Sequence, residues 1–200
     1  MLEAAQLACV RQDRRLFAGL SFVLGRGESL RVAGPNGSGK TSLLRILCGL
    51  LAPSAGEVRW QGAPIGGLKE EYARRLLYLG HAPAVKDDLT PEENLAITAK
   101  LAGLAVSGDG VRMALSDFQV PNVPVKKLSQ GQKRRAALAR LCLSETVPLW
   151  LLDEPFTALD AAGIELLKGL MGEHLRRGGA VAYTTHQDPG IAATRVLELG

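Results

Sequence analysis

A chain of 200 residues, 46% apolar and 22% charged, is long enough for one packed domain with a real core, or one domain with an inserted lobe. Its net charge of +4 comes from scattered basic pairs and one denser run, Lys126 to Arg135, and aromatics make up only 4%. A nucleic-acid surface wants a concentrated basic stripe with interleaved aromatics, so no nucleic-acid partner is expected.

Cys9, Cys48 and Cys142 lie far apart in apolar segments with no CxxC or Cys/His spacing, which predicts buried, reduced thiols and no cysteine metal site. The N-terminus, MLEAAQLACVRQDRR, carries acids and arginines where a signal peptide needs an apolar block. Nowhere do eighteen apolar residues run together, so nothing is expected to span a membrane alone. The expectation is a soluble, cytosolic domain.

Short apolar runs alternate with helix-like segments, the pattern of an α/β fold with a mostly parallel sheet. SLRVAG (29–34) predicts a strand, and TSLLRILCGLL (41–51) predicts a helix with Leu43, Leu44, Leu47 and Leu51 along one face. Between them, Gly34, Pro35, Asn36, Gly37, Ser38, Gly39, Lys40 and Thr41 match GxxxxGK[ST], with Ser42 next in the helix. The glycines let backbone N–H groups turn inward around phosphate oxygens at the positive end of the helix. Lys40 can reach the β- and γ-phosphates and the Thr41 hydroxyl can hold Mg²⁺, so this is a nucleotide site.

YLGHAPAVKDDLT (78–90) places a lone histidine, His81, at the end of an apolar run. From the residues alone it is a metal ligand, a general base or a structural histidine. Residues 87–127 then read as a helical insertion, opening with a capped start at Thr90-Pro91-Glu92-Glu93. LSQGQ (128–132) carries a capping box, Ser129 with Gln132 three residues on, and the same serine and bare glycine, Gly131, can form an anion site at a helix N-terminus.

PLWLLDE (148–154) reads as a buried strand ending in acids, and AVAYTTH (180–186) as another ending at His186. In open α/β sheets ligands sit beyond the carboxyl ends of strands. If the three strands are neighbours, Lys40, Asp153-Glu154 and His186 share one crevice. Asp153 then suits a Mg²⁺ contact and Glu154 the general base that orients an attacking water. His186 suits a hydrogen-bond donor to the γ-phosphate; the bland alternatives are acids that merely end a strand and a structural histidine.

GPNGSGKT, LSQGQ, LLDEP, ALD and TTH, in this order and over essentially the whole chain, resemble the ATP-binding cassette (ABC) family. The resemblance implies a P-loop NTPase fold with an N-terminal antiparallel β part. It also implies a single domain, residues 1–86 and 128–200 forming the nucleotide-binding core and about 87–127 the helical subdomain. It implies an ATPase using ATP and Mg²⁺, in which two copies pack head to tail. Ser129, Gly131 and Gln132 of one copy then meet the γ-phosphate held by Lys40 of the other, and Ala158-Leu159-Asp160 form the D-loop.

Two positions depart from the family pattern. Gln130 replaces a glycine, and Arg11, 16 residues before Gly27-Glu28, stands where an aromatic stacks on adenine. Arginine can stack by its guanidinium plane, and Phe17 is near in sequence. Counting back eight residues from Leu89, the resemblance also gives His81 the place of the Q-loop glutamine, a link between nucleotide and membrane subunit.

Within the family, RxLFxGLSF, GHxPxxKxxLT, WxLDEPFTALD and TTHQ are similar to the haem-exporter branch that serves bacterial cytochrome c maturation. That branch implies integral membrane subunits of the cytochrome c maturation system as partners and a peripheral position on the cytoplasmic face of the inner membrane. It also implies that ATP drives release of haem from a periplasmic chaperone, with no haem bound directly by this chain. An ATPase subunit of another small exporter, of lipid or drug, is the nearest competitor, and a soluble, non-transport ABC ATPase the more distant one.

Overall fold

A computed structural model describes residues 1–186, 190 and 193–200. In chain order the elements are β1 (Leu2–Arg11), β2 (Arg14–Leu24), β3 (Ser29–Ala33), α1 (Lys40–Leu47), β4 (Ala55–Trp60), β5 (Ala63–Pro64) and α2 (Ile65–Ala73). There follow β6 (Leu76–Leu79), α3 (Pro91–Leu101), α4 (Gly108–Asp117), α5 (Gln130–Leu138), β7 (Leu149–Leu152), α6 (Ala161–Arg176), β8 (Ala180–Thr184) and β9 (Arg195–Glu198). They group into two compact units. One comprises Met1–Tyr78, Val147–Pro155 and Glu173–Gly200; the other comprises Leu79–Thr146 and Phe156–Gly172.

The first unit contains an antiparallel sheet of order β2-β1-β4-β5. In β1 the buried face is carried by Leu2 and Ala4 and then by Leu7 and Cys9, a change of phase in a period-two pattern. The extra residue lies between Ala4 and Leu7, where the register shifts and Gln6 takes φ 51, so a bulge keeps both halves of the strand facing the core.

The second sheet runs β6-β7-β8-β3-β9. β7 and β8 pair parallel and are buried at every position, which is why their sequences are unbroken apolar runs rather than alternating ones. β3 pairs parallel with β8 on one side and β9 on the other. In α1, Leu43, Leu44, Ile46 and Leu47 are fully buried, and the core extends to Trp60 and Tyr72, whose hydroxyl donates to the Leu47 carbonyl at 2.7 Å.

The second unit is mainly helical. α3 starts as the sequence predicts: the Thr90 hydroxyl accepts from Glu93 N–H and the Glu93 carboxylate accepts from Thr90 N–H. The buried Asn94 side chain ties down the preceding loop, accepting from Lys86 N–H and donating to the Lys86 and Thr90 carbonyls. A 3₁₀ turn at Val125–Lys127 leads into α5, and another at Ala139–Leu143 follows it. Among the described residues, no helix is long and apolar enough to cross a membrane.

Four expectations need correction. The helix expected over 41–51 ends at Leu47, with Gly49 at φ 77 just beyond it. The strand expected over 148–154 covers only Leu149–Leu152, because Glu154 turns into the left-handed region at φ 50. The strand expected over 180–186 stops at Thr184 and leaves His186 beyond it. All three cysteines are free thiols, but only Cys9 is fully buried, while Cys48 and Cys142 are half-buried.

One buried histidine belongs to the core rather than to any site. His174 stacks on Trp150 of β7 with ring centroids 3.9 Å apart and planes 8° from parallel. Burial pushes its pKa down from 6.5 to about 4, against hydrogen bonds to the Ala180 and Pro148 backbone that favour the charged form. The unfolded chain therefore binds this proton first as pH falls. Stability is intact above pH 6.5 and declines toward pH 4, by about 1.4 kcal/mol for each pKa unit separating the two states. Replacing His174 with Phe keeps a stacked ring without a titrating group. Denaturant unfolding between pH 7 and pH 4 should then show a smaller loss of stability than the unaltered chain; equal losses would refute this origin.

Candidate functional site

β7, β8 and β3 are neighbours in the sheet, so their carboxyl ends open on one edge. The loop from Gly34 to Gly39 leaves β3 there and α1 begins at Lys40. Two glycines in it are obligatory. A Cβ on Gly34 would lie 2.2 Å from the Leu199 carbonyl oxygen, and Gly39 has φ 103 with Leu16 and Phe17 packed against it. The buried Lys40 ammonium donates to the Gly34 and Pro35 carbonyls at 2.7 and 2.9 Å, which keeps the charge inside the loop. Ser38 Oγ is buried without a hydrogen-bond partner among the described residues, as fits a loop built to take phosphate oxygens.

Beside the loop, the Thr41 hydroxyl donates to Asp153 Oδ1 at 3.2 Å. Asp153 is 1% exposed and Glu154 is 7% exposed. Both acids come from the end of β7, as the LLDE run suggests, and His186 Nε2 lies 3.0 Å from Glu154 Oε1. Thus Lys40, Thr41, Asp153, Glu154 and His186 come together. Gln187, the last residue of TTHQ, lies outside the described residues.

Thr41 and Asp153 offer hard oxygen donors side by side, and among the described residues no group of three or more His, Cys, Asp or Glu is arranged to hold a metal ion by itself. That donor set fits Mg²⁺, which takes one or two protein oxygens and completes its shell from phosphates and water. The loop's remaining residues, Asn36 and Gly37, are exposed, and Ser42 in α1 hydrogen-bonds the Cys9 thiol. Burial pushes that thiol up, opposed by the Arg11 guanidinium and the Ser42 hydroxyl. Arg11 ends β1 opposite Arg14 and is exposed.

The other residues expected at the site belong to the second unit. Ser129 caps α5: its hydroxyl accepts from Gln132 N–H at 3.2 Å, and Gln132 Oε1 accepts from Ser129 N–H at 2.9 Å. Gly131 faces the Ala158 carbonyl, 3.0 Å from where its Cβ would be, and Arg135 of the same helix pairs with Asp160 at 3.6 Å. The exposed His81 side chain lies on the loop after β6.

Sequence reasoning passed over two contributors. Arg134, 4% exposed within α5, donates from Nη1 to the Gly80 carbonyl at 2.8 Å and the His81 carbonyl at 3.2 Å. It therefore ties the backbone of the His81 loop to the serine-capped helix. Thr184, fully buried at the end of β8, accepts from Glu154 N–H and donates to Asp153 Oδ1, both at 2.8 Å. The only signal for Arg134 is one charge more than a helix with one exposed face needs. For Thr184 it is a hydroxyl inside an otherwise apolar strand.

The profile of the ABC transporter family matches residues 17–157. A protein of Aromatoleum aromaticum, named cytochrome c biogenesis ATP-binding export protein CcmA, is 54% identical, with 100% of this chain and 95% of that protein covered. The protein of the same name from Escherichia coli K12 is 46% identical, again over 100% of this chain and 95% of its own length. Among solved structures, an ABC transporter ATP-binding protein of Pyrococcus furiosus superposes with a TM-score of 0.84 at 26% identity, covering 99% of this chain and 96% of its own.

Arg134→Met removes the charge and leaves the Gly80 and His81 carbonyls without this donor. It should lower unfolding stability by about 2 kcal/mol and raise hydrogen exchange in residues 80–84. Unchanged exchange there would show that the tie does not hold the loop.

Proposed function

This chain belongs to the ABC transporter family as an ATP-hydrolysing, ATP-binding subunit, and from that premise we propose that it drives the export complex of bacterial cytochrome c biogenesis. In this reading ATP hydrolysis at the cytoplasmic face of the inner membrane promotes release of haem from a periplasmic chaperone. Integral membrane subunits, and not this chain, touch the haem. The names of the full-length relatives support the choice of complex.

The observation that carries the chemistry is the meeting of three strand ends, with Thr41 3.2 Å from Asp153 and Glu154 3.0 Å from His186. The N–H groups of residues 36–41 and the Lys40 ammonium bind the phosphates of ATP and favour the charge that builds on the leaving oxygen. Thr41 and Asp153 are the residues that would hold Mg²⁺, which neutralises phosphate charge when bound. Glu154 orients a water toward the γ-phosphorus and takes its proton as the bond to the β–γ bridging oxygen breaks, giving ADP and phosphate. His186, hydrogen-bonded to Glu154, holds that carboxylate and a γ-phosphate oxygen in line.

The serine-capped start of α5 is the surface for the nucleotide of a second copy. Ser129 and Gln132 satisfy each other there, while the positive helix end and Gly131 are suited to an anion. A head-to-tail homodimer with two shared sites follows from this reading, and the His81 loop, tied to the same helix by Arg134, is its link to the membrane subunits.

Glu154→Gln should lower the hydrolysis rate by about 10²-fold or more while ATP still binds, and should accumulate an ATP-bound dimer visible by size-exclusion chromatography. Hydrolysis at the unaltered rate would rule out the base. Neither Ser129→Arg nor Lys40→Ala should hydrolyse ATP alone, whereas their mixture should recover activity through one intact composite site. Failure to recover in demonstrated heterodimers would exclude shared sites. For the assignment to haem export, affinity purification from membranes should bring down cytochrome c maturation membrane proteins; recovery of lipid or drug exporter subunits instead would overturn it.

A further inference from the structure

The TTH run sends two residues to the site, and the reaction described above uses only the histidine. Thr184 is the last residue of β8 and has no exposed surface. It stands in register with Val32 of β3, just before the phosphate loop, and follows Tyr183, which is in register with Leu152 of β7, just before the two acids. A hydroxyl has one proton to give and lone pairs to accept with. Here the proton goes to Asp153 Oδ1 and the oxygen accepts from Glu154 N–H, each at 2.8 Å.

The second bond coincides with an unusual backbone. Glu154 has φ 50, a left-handed conformation that costs a non-glycine residue about 1 kcal/mol or more and persists only where its surroundings enforce it. The N–H that this turn removes from regular strand pairing ends on the Thr184 oxygen. Fixing that N–H fixes the peptide plane from which Glu154 leaves, and with it, at the φ found here, the direction of the Glu154 side chain. The same hydroxyl restrains Asp153 by donating to the carboxylate oxygen that Thr41 also contacts.

We propose that Thr184 is a positioning residue for ATP hydrolysis, whose single hydroxyl sets the aim of Glu154 and of Asp153 together. The proposal rests on Glu154 being the base that orients water. Misplacing a reacting group by about 1 Å costs on the order of 10²-fold in rate, and tilting the Asp153–Glu154 peptide plane by a few tens of degrees displaces a glutamate carboxylate by more than that.

Thr184→Val keeps the shape and removes both hydrogen bonds. In steady-state assays kcat should fall at least about tenfold, while the dissociation constant for ATP, titrated in EDTA, stays within about twofold. Thr184→Ser keeps the hydroxyl and should restore kcat to within about threefold of the unaltered chain. In a Glu154→Gln background Thr184→Val should cost less than it does in the unaltered chain, since one of the two groups it aims is gone.

A valine variant with unaltered kcat, or a serine variant as slow as valine, overturns the proposal. If valine prevents folding, Thr184→Cys replaces it, with a weak S–H donor of similar size. Unaltered kcat in that variant overturns the proposal equally. Glu154→Gln at the unaltered rate would instead remove the reading of Glu154 on which the proposal stands. A slow Glu154→Gln beside a fast Thr184→Val sinks the positioning role alone.

Discussion

The site depends on the parallel pairing of β8 between β7 and β3. The matches of Val32 with Thr184 and of Leu152 with Tyr183 bring three strands to an end at the same level. The phosphate loop, the acid pair and the histidine are each carried one to several residues past those ends. A slip of one residue in β8 would turn Thr184 away from the acids and carry His186 with it. Because all positions of β7 and β8 are buried, the apolar packing that stabilises the sheet also holds this register.

Around that edge the structure spends polar groups sparingly and pairs them closely. Asp153 Oδ1 accepts from two threonine hydroxyls, Thr41 and Thr184, and Glu154 meets His186. A buried carboxylate is tolerated only when donors surround it, so the two threonines serve stability and geometry together. The second unit repeats the theme at Arg134, a buried guanidinium that donates to two backbone carbonyls. In both places a long-range contact reaches the backbone beside a residue proposed for the site.

Much of this was legible in the sequence because it is local. The phosphate loop needs its glycines within eight residues, the capping boxes at Thr90 and Ser129 need a partner three residues on, and a fully buried parallel strand advertises itself as an apolar run. The roles of Thr184 and Arg134 were not legible, since each depends on a partner 30 or more residues away, Glu154 in one case and Gly80 in the other. The misjudged end of β7 has the same cause. An apolar run says where a strand can be, but the left-handed turn at Glu154 is enforced by a hydroxyl on another strand.

The backbone of Glu154 has a consequence for how this chain balances stability against activity. At φ 50, just before Pro155, the residue with the least strain is glycine, which meets no Cβ penalty there. Glutamate at 154 is therefore a choice the fold alone would not make. A search for thermostable variants would drift toward small, flexible residues at this position and erase the carboxylate. With Glu154 in its proposed role, stability and turnover select in opposite directions here.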